Sequence, residues 1–406
     1  MQLFSDRNEM AKVAEFDVRY VCHIKQYDPG CRSDQFGRPV RSGIGLMRCG
    51  MRRICFLAVV CCALGTAGPI EAGGIEVRRN DFKVASDAGI TLAVREVASS
   101  DAAPAGPPLI LVHGARVPGI ASFDLDAPHG SLAADFAAAG LDVFIMDVRG
   151  YGGSTRTGQE GDPAGRPPLV RSGEVVRDIA AVVQDVQRRT GAHQVALLGW
   201  ATGGHWAGMF ASLHPDAVSH LVILNSLYGG HVGHPTLGPG GPLTDSADPS
   251  RLDGTKVGAF GFSTAASLTP SWDASIPLAD KPAWRDPAVL RAYQAAALAS
   301  DPTSAQREPP SFRAPMGAIA DSFELASGRK LWSASAITAR VLVLRSDHDF
   351  WSRPEDLDNL RRDLTQARSV KAETLQGATH YVHLDRPERG RDRLLSDAIA
   401  FLRDRS

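Results

Sequence analysis

Past residue 73 the chain alternates between two hydrophobic periods. NDFKVASDAGITLAVREV reads as two strands joined by the turn Ser86-Asp87-Ala88-Gly89. PPLILVHG is a short apolar run ending in a glycine, and LDVFIMDVRGYG, HQVALLGW and VSHLVILNSLYG are buried strands of the same kind. Between them lie segments with apolar residues at helical spacing. SLAADFAAAG stops at Gly140, EVVRDIAAVVQDVQRRTG carries Arg188 and Arg189 in its last turn with Gly191 as its stop, and GGHWAGMFASLHP ends near Pro215. Short apolar runs alternating with helices predict βαβ units and a mostly parallel central sheet flanked by helices, an α/β fold.

The rhythm breaks after Gly229. GGHVGHPTLGPGGPLTDSADPS is rich in Gly and Pro and predicts an irregular loop. Residues 255–333 then carry Phe260, Phe262, Trp272, Trp284, Tyr293, Phe312, Phe323 and Trp332, with helical stretches near 286–299 and 314–327 and no strand–helix alternation. Alternation resumes at ARVLVLRSDHDFWSRPEDLDNLRRDLTQA. SVKAETLQGATHYVHLD is the last strand and its loop, and ERGRDRLLSDAIAFLRD is a closing amphipathic helix. The expected division is a core of 73–229 and 334–406 interrupted by an insertion, 230–333. No internal repeat or coiled-coil heptad is visible.

Ahead of residue 73 the pattern changes. MRRICFLAVVCCALGTAGPIEAGG opens at Met51 with two arginines, continues as an apolar run from Ile54 to about Leu64, and ends in small residues. That is the order of a secretory signal, so residues 51–72 are expected to be one, cleaved after Ala72, with a periplasmic or secreted product. A buried helix is the alternative, but no amphipathic period supports it. The run falls short of the roughly 20 residues a bilayer span needs, so no stable membrane anchor is expected. Cys61 follows Val59 and Val60, a poor lipoprotein site. A signal belongs at an N-terminus, so residues 1–50 read as a non-structural extension, with translation beginning at Met47 or Met51.

Composition narrows the function classes. All six cysteines lie before residue 63, which excludes a disulfide framework and a cysteine metal site from the rest of the chain. Of 406 residues, 44 are Lys or Arg and 45 are Asp or Glu. That balance gives no reason to expect a nucleic-acid partner.

Three strand ends carry candidate chemistry. The first is Gly199-Trp200-Ala201-Thr202-Gly203, where a strand gives way to a helix. Glycines two positions to either side fit a strained, sharp turn whose apex projects at a helix N-terminus. Taken alone, the stretch also fits an ordinary strand–glycine–helix turn. The second is His113-Gly114 at the end of LILVHG. A backbone N–H just past this strand, Ala115 or its substitute Arg116, would join that of Thr202 as an oxyanion hole. Trp200, His113 and Gly114 are placed at the substrate pocket, with the His113 ring expected to be structural because the useful donor there is backbone. The third is an acid followed by a base. Asp349 is preferred over Asp347, since a short turn must follow the strand. His380 is preferred over His383, since Gly377 marks a loop there. The order apex, acid, base is the one a nucleophile elbow requires.

With VHGA, MDVRGYGGS, GWATGG, RSDHDFWSRPED and GATHYVHLDRPE in view, the chain resembles an α/β-hydrolase from about residue 75 to 403. The resemblance implies a core sheet with a helical cap, 230–333, over the site. It also implies that Asp349 orients His380 and that His380 acts as general base. The implied substrate is a small-molecule carboxylic ester or lactone, and no metal or organic cofactor is implied. The departure is at the apex. Ala201 stands where the family has Ser, or in some members Asp or Cys, and a methyl group cannot attack a carbonyl. Two accounts stay open: a serine-type esterase or lactonase inactivated at its nucleophile, and a non-catalytic small-molecule binder that kept the pocket. A dehalogenase or epoxide hydrolase whose elbow Asp was replaced would leave the same trace.

The remaining features have plainer readings. His231 and His234 lack the acidic or cysteine neighbours a metal site needs. Aromatic residues of the insertion are expected to line an apolar acyl or aryl pocket with Trp200. His205 and Trp206 are assigned to helix packing, and Arg149 to structural hydrogen bonds.

Overall fold

Residues 76–100 and 104–404 are described by the computed structural model. The expected signal, 51–72, and the extension, 1–50, lie outside them. Ten strands are numbered in chain order: β1 (Val77–Ala85), β2 (Thr91–Ser99), β3 (Leu109–Val112), β4 (Val143–Met146), β5 (Val195–Trp200), β6 (Val218–Leu224), β7 (Phe260–Thr264), β8 (Ser311–Pro315), β9 (Arg340–His348) and β10 (Ser369–Thr379). Eight of them form one sheet in the order β1-β2-β4-β3-β5-β6-β9-β10. The pairs β1/β2 and β2/β4 are antiparallel, and every later neighbour is parallel.

Strand position follows composition. LILV, VFIM and VALLGW of β3, β4 and β5 are buried at every residue, as strands covered on both faces must be. Edge strand β1 exposes Arg78, Arg79, Asn80 and Asp81, polar and charged side chains that blunt an open edge. The β1–β2 turn falls at the predicted residues, with Gly89 at φ 77° and Ser86 N–H donating to the Ile90 carbonyl at 2.9 Å.

The helices of seven residues or more are α1 (Leu132–Ala138), α2 (Ser172–Thr190), α3 (Thr202–Leu213), α4 (Pro287–Ala299), α5 (Gly317–Ala326), α6 (Pro354–Asp363) and α7 (Asp392–Arg403). They sort to the two sheet faces by the two-residue period of the strands. Leu109, Leu111, Val143, Ile145, Ala196 and Leu198 point to a core shared with Phe136 of α1 and Leu394, Ala398 and Leu402 of α7. Ile110, Val112, Phe144, Met146, Val195 and Leu197 point to the opposite core, shared with α2, α3 and Leu360 of α6. On α2 the buried side chains are Val175, Val176, Ile179, Val182, Val183 and Val186, one face of a helix, and the helix stops at Gly191 with φ 72°.

Segment 230–333 holds α4, α5 and one feature unforeseen from the sequence: β7 and β8 pair antiparallel, Phe260 opposite Pro315 through Thr264 opposite Ser311. The expected helical insertion thus also carries a two-stranded ladder. Each strand has five residues, and the partners are far apart in sequence, so no local turn signal announces them. The ladder also moves the second expected helix. Residues 311–315 are strand, and α5 begins at Gly317. No helix among the described residues is long and apolar enough to cross a membrane.

Candidate active site

Parallel strands deliver four groups to one edge of the sheet. Ala115 lies just past β3, Ala201 is the first residue after β5, Asp349 the first after β9, and His380 the first after β10. Carboxyl ends of parallel strands are where α/β sheets hold ligands.

Ala201 adopts φ 53° and ψ −123°, a conformation that costs a non-glycine residue about 1–3 kcal/mol. The turn is held by Ala201 N–H donating to the Leu224 carbonyl at 2.9 Å and Gly204 N–H to the Ala201 carbonyl at 3.0 Å. Its glycines are steric requirements. A Cβ on Gly199 would lie 2.2 Å from the Gly203 carbonyl oxygen, and one on Gly203 would lie 2.2 Å from that of Val112. The β3 loop meets the same apex: a Cβ on Gly114 would sit 3.1 Å from the Ala201 methyl carbon. Neither the Ala115 nor the Thr202 amide finds an acceptor among the described residues.

Asp349 and His380 meet at 2.6 Å, Oδ1 to Nδ1, and both are buried. Burial alone would raise the Asp349 carboxyl. The neighbouring His380 charge and hydrogen bond, the Ser352 hydroxyl and the Trp351 amide outweigh it and hold the carboxyl below its ordinary value. The Asp349 carboxylate occupies His380 Nδ1, and Nε2 has no partner among the described residues. The His380 carbonyl is anchored as well, by Trp200 Nε1 at 3.0 Å and Asn225 Nδ2 at 3.1 Å.

Strand register explains how acid and base face each other. Along β10, Leu375 pairs with Ser346, but four residues later Thr379 pairs with His348, only two residues on. Two extra residues are bulged out between them, with Gly377 at φ 66°. Without this bulge His380 would lie level with Trp351 rather than Asp349. Asp347, the competing acid, serves the bulge: its carboxylate accepts from the Gly377 and Ala378 amides at 2.8 and 2.9 Å. Asn225, at φ 52°, bridges to Ser346 at 3.0 Å. Nothing in the sequence marks its role, since an Asn after a strand is a common turn residue.

Other candidates fall elsewhere. Trp200 and Gly114 line the cavity described below, but His113 does not, which corrects its placement at the pocket. It is fully buried, receives the Val148 amide at 3.2 Å and lies 2.6 Å from the Gly114 carbonyl, so the ring braces the loop from beneath. His383 is buried 4.4 Å from the Trp200 ring, centroid to centroid, with no hydrogen-bond partner on either nitrogen among the described residues. Burial pushes its pKa well below the ordinary value. His205, pushed down to about 4 by burial, accepts from Trp332 Nε1 at 3.0 Å and contacts Ser172 Oγ at 3.0 Å, which in turn donates to Asp321. That chain ties α3 to α2 and α5. Arg149 pairs with buried Asp178. His234 is occupied by the Trp351 carbonyl and the Leu237 amide, and no group of three metal-ligating side chains occurs among the described residues.

Ala201, Thr202, Ala115 and His380 share a cavity of about 200 Å³. Phe262, Leu268, Tyr293 and Ile319 of segment 230–333 form much of its wall, and Trp200, Phe350 and Tyr381 form the rest beside His380. Among the lining residues there is no Asp or Glu.

One further carboxyl stands behind the imidazole. Asp385 is fully buried and accepts from Thr379 Oγ1 at 2.6 Å and from Trp272 Nε1 at 2.9 Å. The Trp284 indole approaches it without hydrogen-bond geometry. Burial outweighs these donors and pushes the carboxyl up to about 7.

Comparison with known proteins identifies the fold. The chain matches a family profile described as the alpha/beta hydrolase fold over residues 107–387. No curated protein matches it in sequence. Among solved structures it is similar to a thioesterase domain from the curacin biosynthetic pathway, at 16% identity and TM-score 0.50, covering 80% of this chain and 99% of that one. An esterase from Rhodococcus sp. is similar at 18% identity and TM-score 0.49, with 79% and 99% covered. A thermophilic esterase from Thermogutta terrifontis gives 18% and 0.49, with 80% and 98% covered. The profile spans β3 through β10 and the segment 230–333 between them, and the chain belongs to the α/β-hydrolase fold family.

Proposed function

We propose that this chain is built to hydrolyse a small carboxylic ester or lactone, and that Ala201 removes the nucleophile from an otherwise complete serine-type site. The observation that carries the reading is the buried Asp349–His380 pair at 2.6 Å, opening on the same apolar cavity as the strained apex. A buried carboxylate hydrogen-bonded to an imidazole whose Nε2 has no partner among the described residues is the arrangement a general base needs. With Ser at 201, the hydroxyl attacks the ester carbonyl while His380 Nε2 takes its proton. The Ala115 and Thr202 amides hold the oxyanion. Collapse expels the alkoxide, which takes the proton from His380 and leaves an acyl-enzyme. Water then repeats the cycle with His380 as base. Segment 230–333 serves as the cap that excludes solvent and shapes the acyl pocket. In the Ala201 chain the ester binds and stays intact.

The test is Ala201→Ser, assayed on a panel of aryl esters, short aliphatic esters and lactones. Because triad members act as a unit, turnover is expected to rise by up to about a million-fold over the Ala201 chain. A serine variant that stays inert across the panel, while the native chain binds one small molecule saturably, would favour the second reading, a binder that keeps the pocket. Ala201 itself is what supports that alternative.

A further inference from the structure

The loop after β10 is fastened to the cap by a buried carboxyl, that of Asp385. Asp385 Oδ2 accepts from Thr379 Oγ1, the residue before His380, and that hydroxyl oxygen accepts the Tyr381 amide, the residue after it, at 3.1 Å. Asp385 Oδ1 accepts from Trp272, which belongs to the cap. The Trp272 ring stacks on Tyr381 with centroids 4.6 Å apart at 21°. Tyr381 lines the cavity and lies edge-on to the His380 ring at 5.2 Å. Just beyond, the Arg386 amide donates to the Trp284 carbonyl at 3.0 Å and its guanidinium to the Pro282 carbonyl at 2.9 Å. The peptide units on both sides of the imidazole are thus tied, through one carboxyl, to an element that closes the cavity.

We infer that Asp385 is a positioning residue that latches the His380 loop to the cap, so that seating of the cap and alignment of the imidazole are a single event. The inference rests on the reading of His380 as the base. Its chemistry follows from the geometry. Moving the cap to admit a ligand breaks the Trp272 contact and frees the carboxyl that holds Thr379, so the base is fully ordered only over an enclosed ligand. A water-exposed site then has a poorly placed base, which suppresses unproductive chemistry in the open state.

The experiment uses the native chain, without turnover. The Nδ1 proton of a histidine held to an ionised carboxylate resonates far downfield in proton NMR, and its loss in Asp349→Asn assigns it. Asp385→Asn keeps an acceptor for Trp272 and a group that bonds Thr379, and is expected to retain the signal. Asp385→Leu is expected to lose it. Trp272→Phe keeps the stacking on Tyr381 and removes only the cap's hydrogen bond, and is expected to broaden or shift it. If Asp385→Leu fails to fold, Trp272→Phe and Thr379→Val carry the test. In the Ala201→Ser background Trp272→Phe should lower kcat/KM by about tenfold, the cost of one buried hydrogen bond. An unmoved signal in Trp272→Phe overturns the latch, whatever the variants do to melting temperature. A moved signal together with an inert Ala201→Ser chain leaves the latch standing and overturns the hydrolase reading instead.

Discussion

Replacing Asp385 by Asn should change how stability depends on pH, and the size of the change follows from the carboxyl's surroundings. In the fold Asp385 is fully buried and its pKa is raised from 3.8 to about 7. The unfolded chain loses this proton near 3.8 and the folded chain keeps it to about 7, so folding takes up a proton between those values. Stability therefore falls as pH rises through that window, and the full penalty is present above about 7. At about 1.4 kcal/mol for each pKa unit, the gap amounts to about 4 kcal/mol. Asn does not titrate. Whatever fixed offset the substitution carries, the unfolding free energy of Asp385→Asn relative to wild type should rise by about 4 kcal/mol between about pH 4 and about pH 8. Urea unfolding followed by far-ultraviolet circular dichroism, at a series of pH values on both proteins, measures that difference directly. All other titrating groups are common to the two chains and cancel. A difference that stays flat with pH would refute the argument, because it would mean the carboxyl is hydrated or paired well enough to ionise normally.

Two further predictions concern the strained turn. Ala201→Gly should stabilise the protein by about 1 kcal/mol, because relief of a positive φ exceeds the extra chain entropy of glycine, and a thermal midpoint no higher than wild type would contradict that balance. Gly203→Ala should have the opposite sign and cost more than about 3 kcal/mol, since its methyl would meet the Val112 carbonyl oxygen at 2.2 Å and backbone cannot step aside, a loss visible in urea unfolding.

The core was readable because its signals are local. LILV, VFIM and VALLGW are short apolar runs, and the helices between them carry their own stops, such as Gly191 and the Pro215 that follows α3. The turn at Ala201 was readable for the same reason: the glycines it needs sit within two positions of the apex. Asp349 and His380 were readable only as candidates. What joins them is the two-residue shift in β10, a property of two strands together, and the Asp347 carboxylate that supports it lies two residues from the acid it resembled. The β7–β8 ladder was hidden because its halves are short and distant in sequence. His113 was placed at the pocket from its position after a strand, whereas its exposure depends on how the Gly114 loop folds over it. Asp385 gave no signal, since an Asp before Arg-Pro is ordinary, and only burial gives it an unusual pKa.

The bulge in β10 also sets a rule for anyone recombining this scaffold. Strand β10 takes two more residues than β9 to reach the rim, so grafts or shuffled segments that keep its length but straighten 376–378 into regular pairing would carry the imidazole two residues along the strand past its carboxylate. Such products would fold, carry every residue of the motif, and have no acid beside their base.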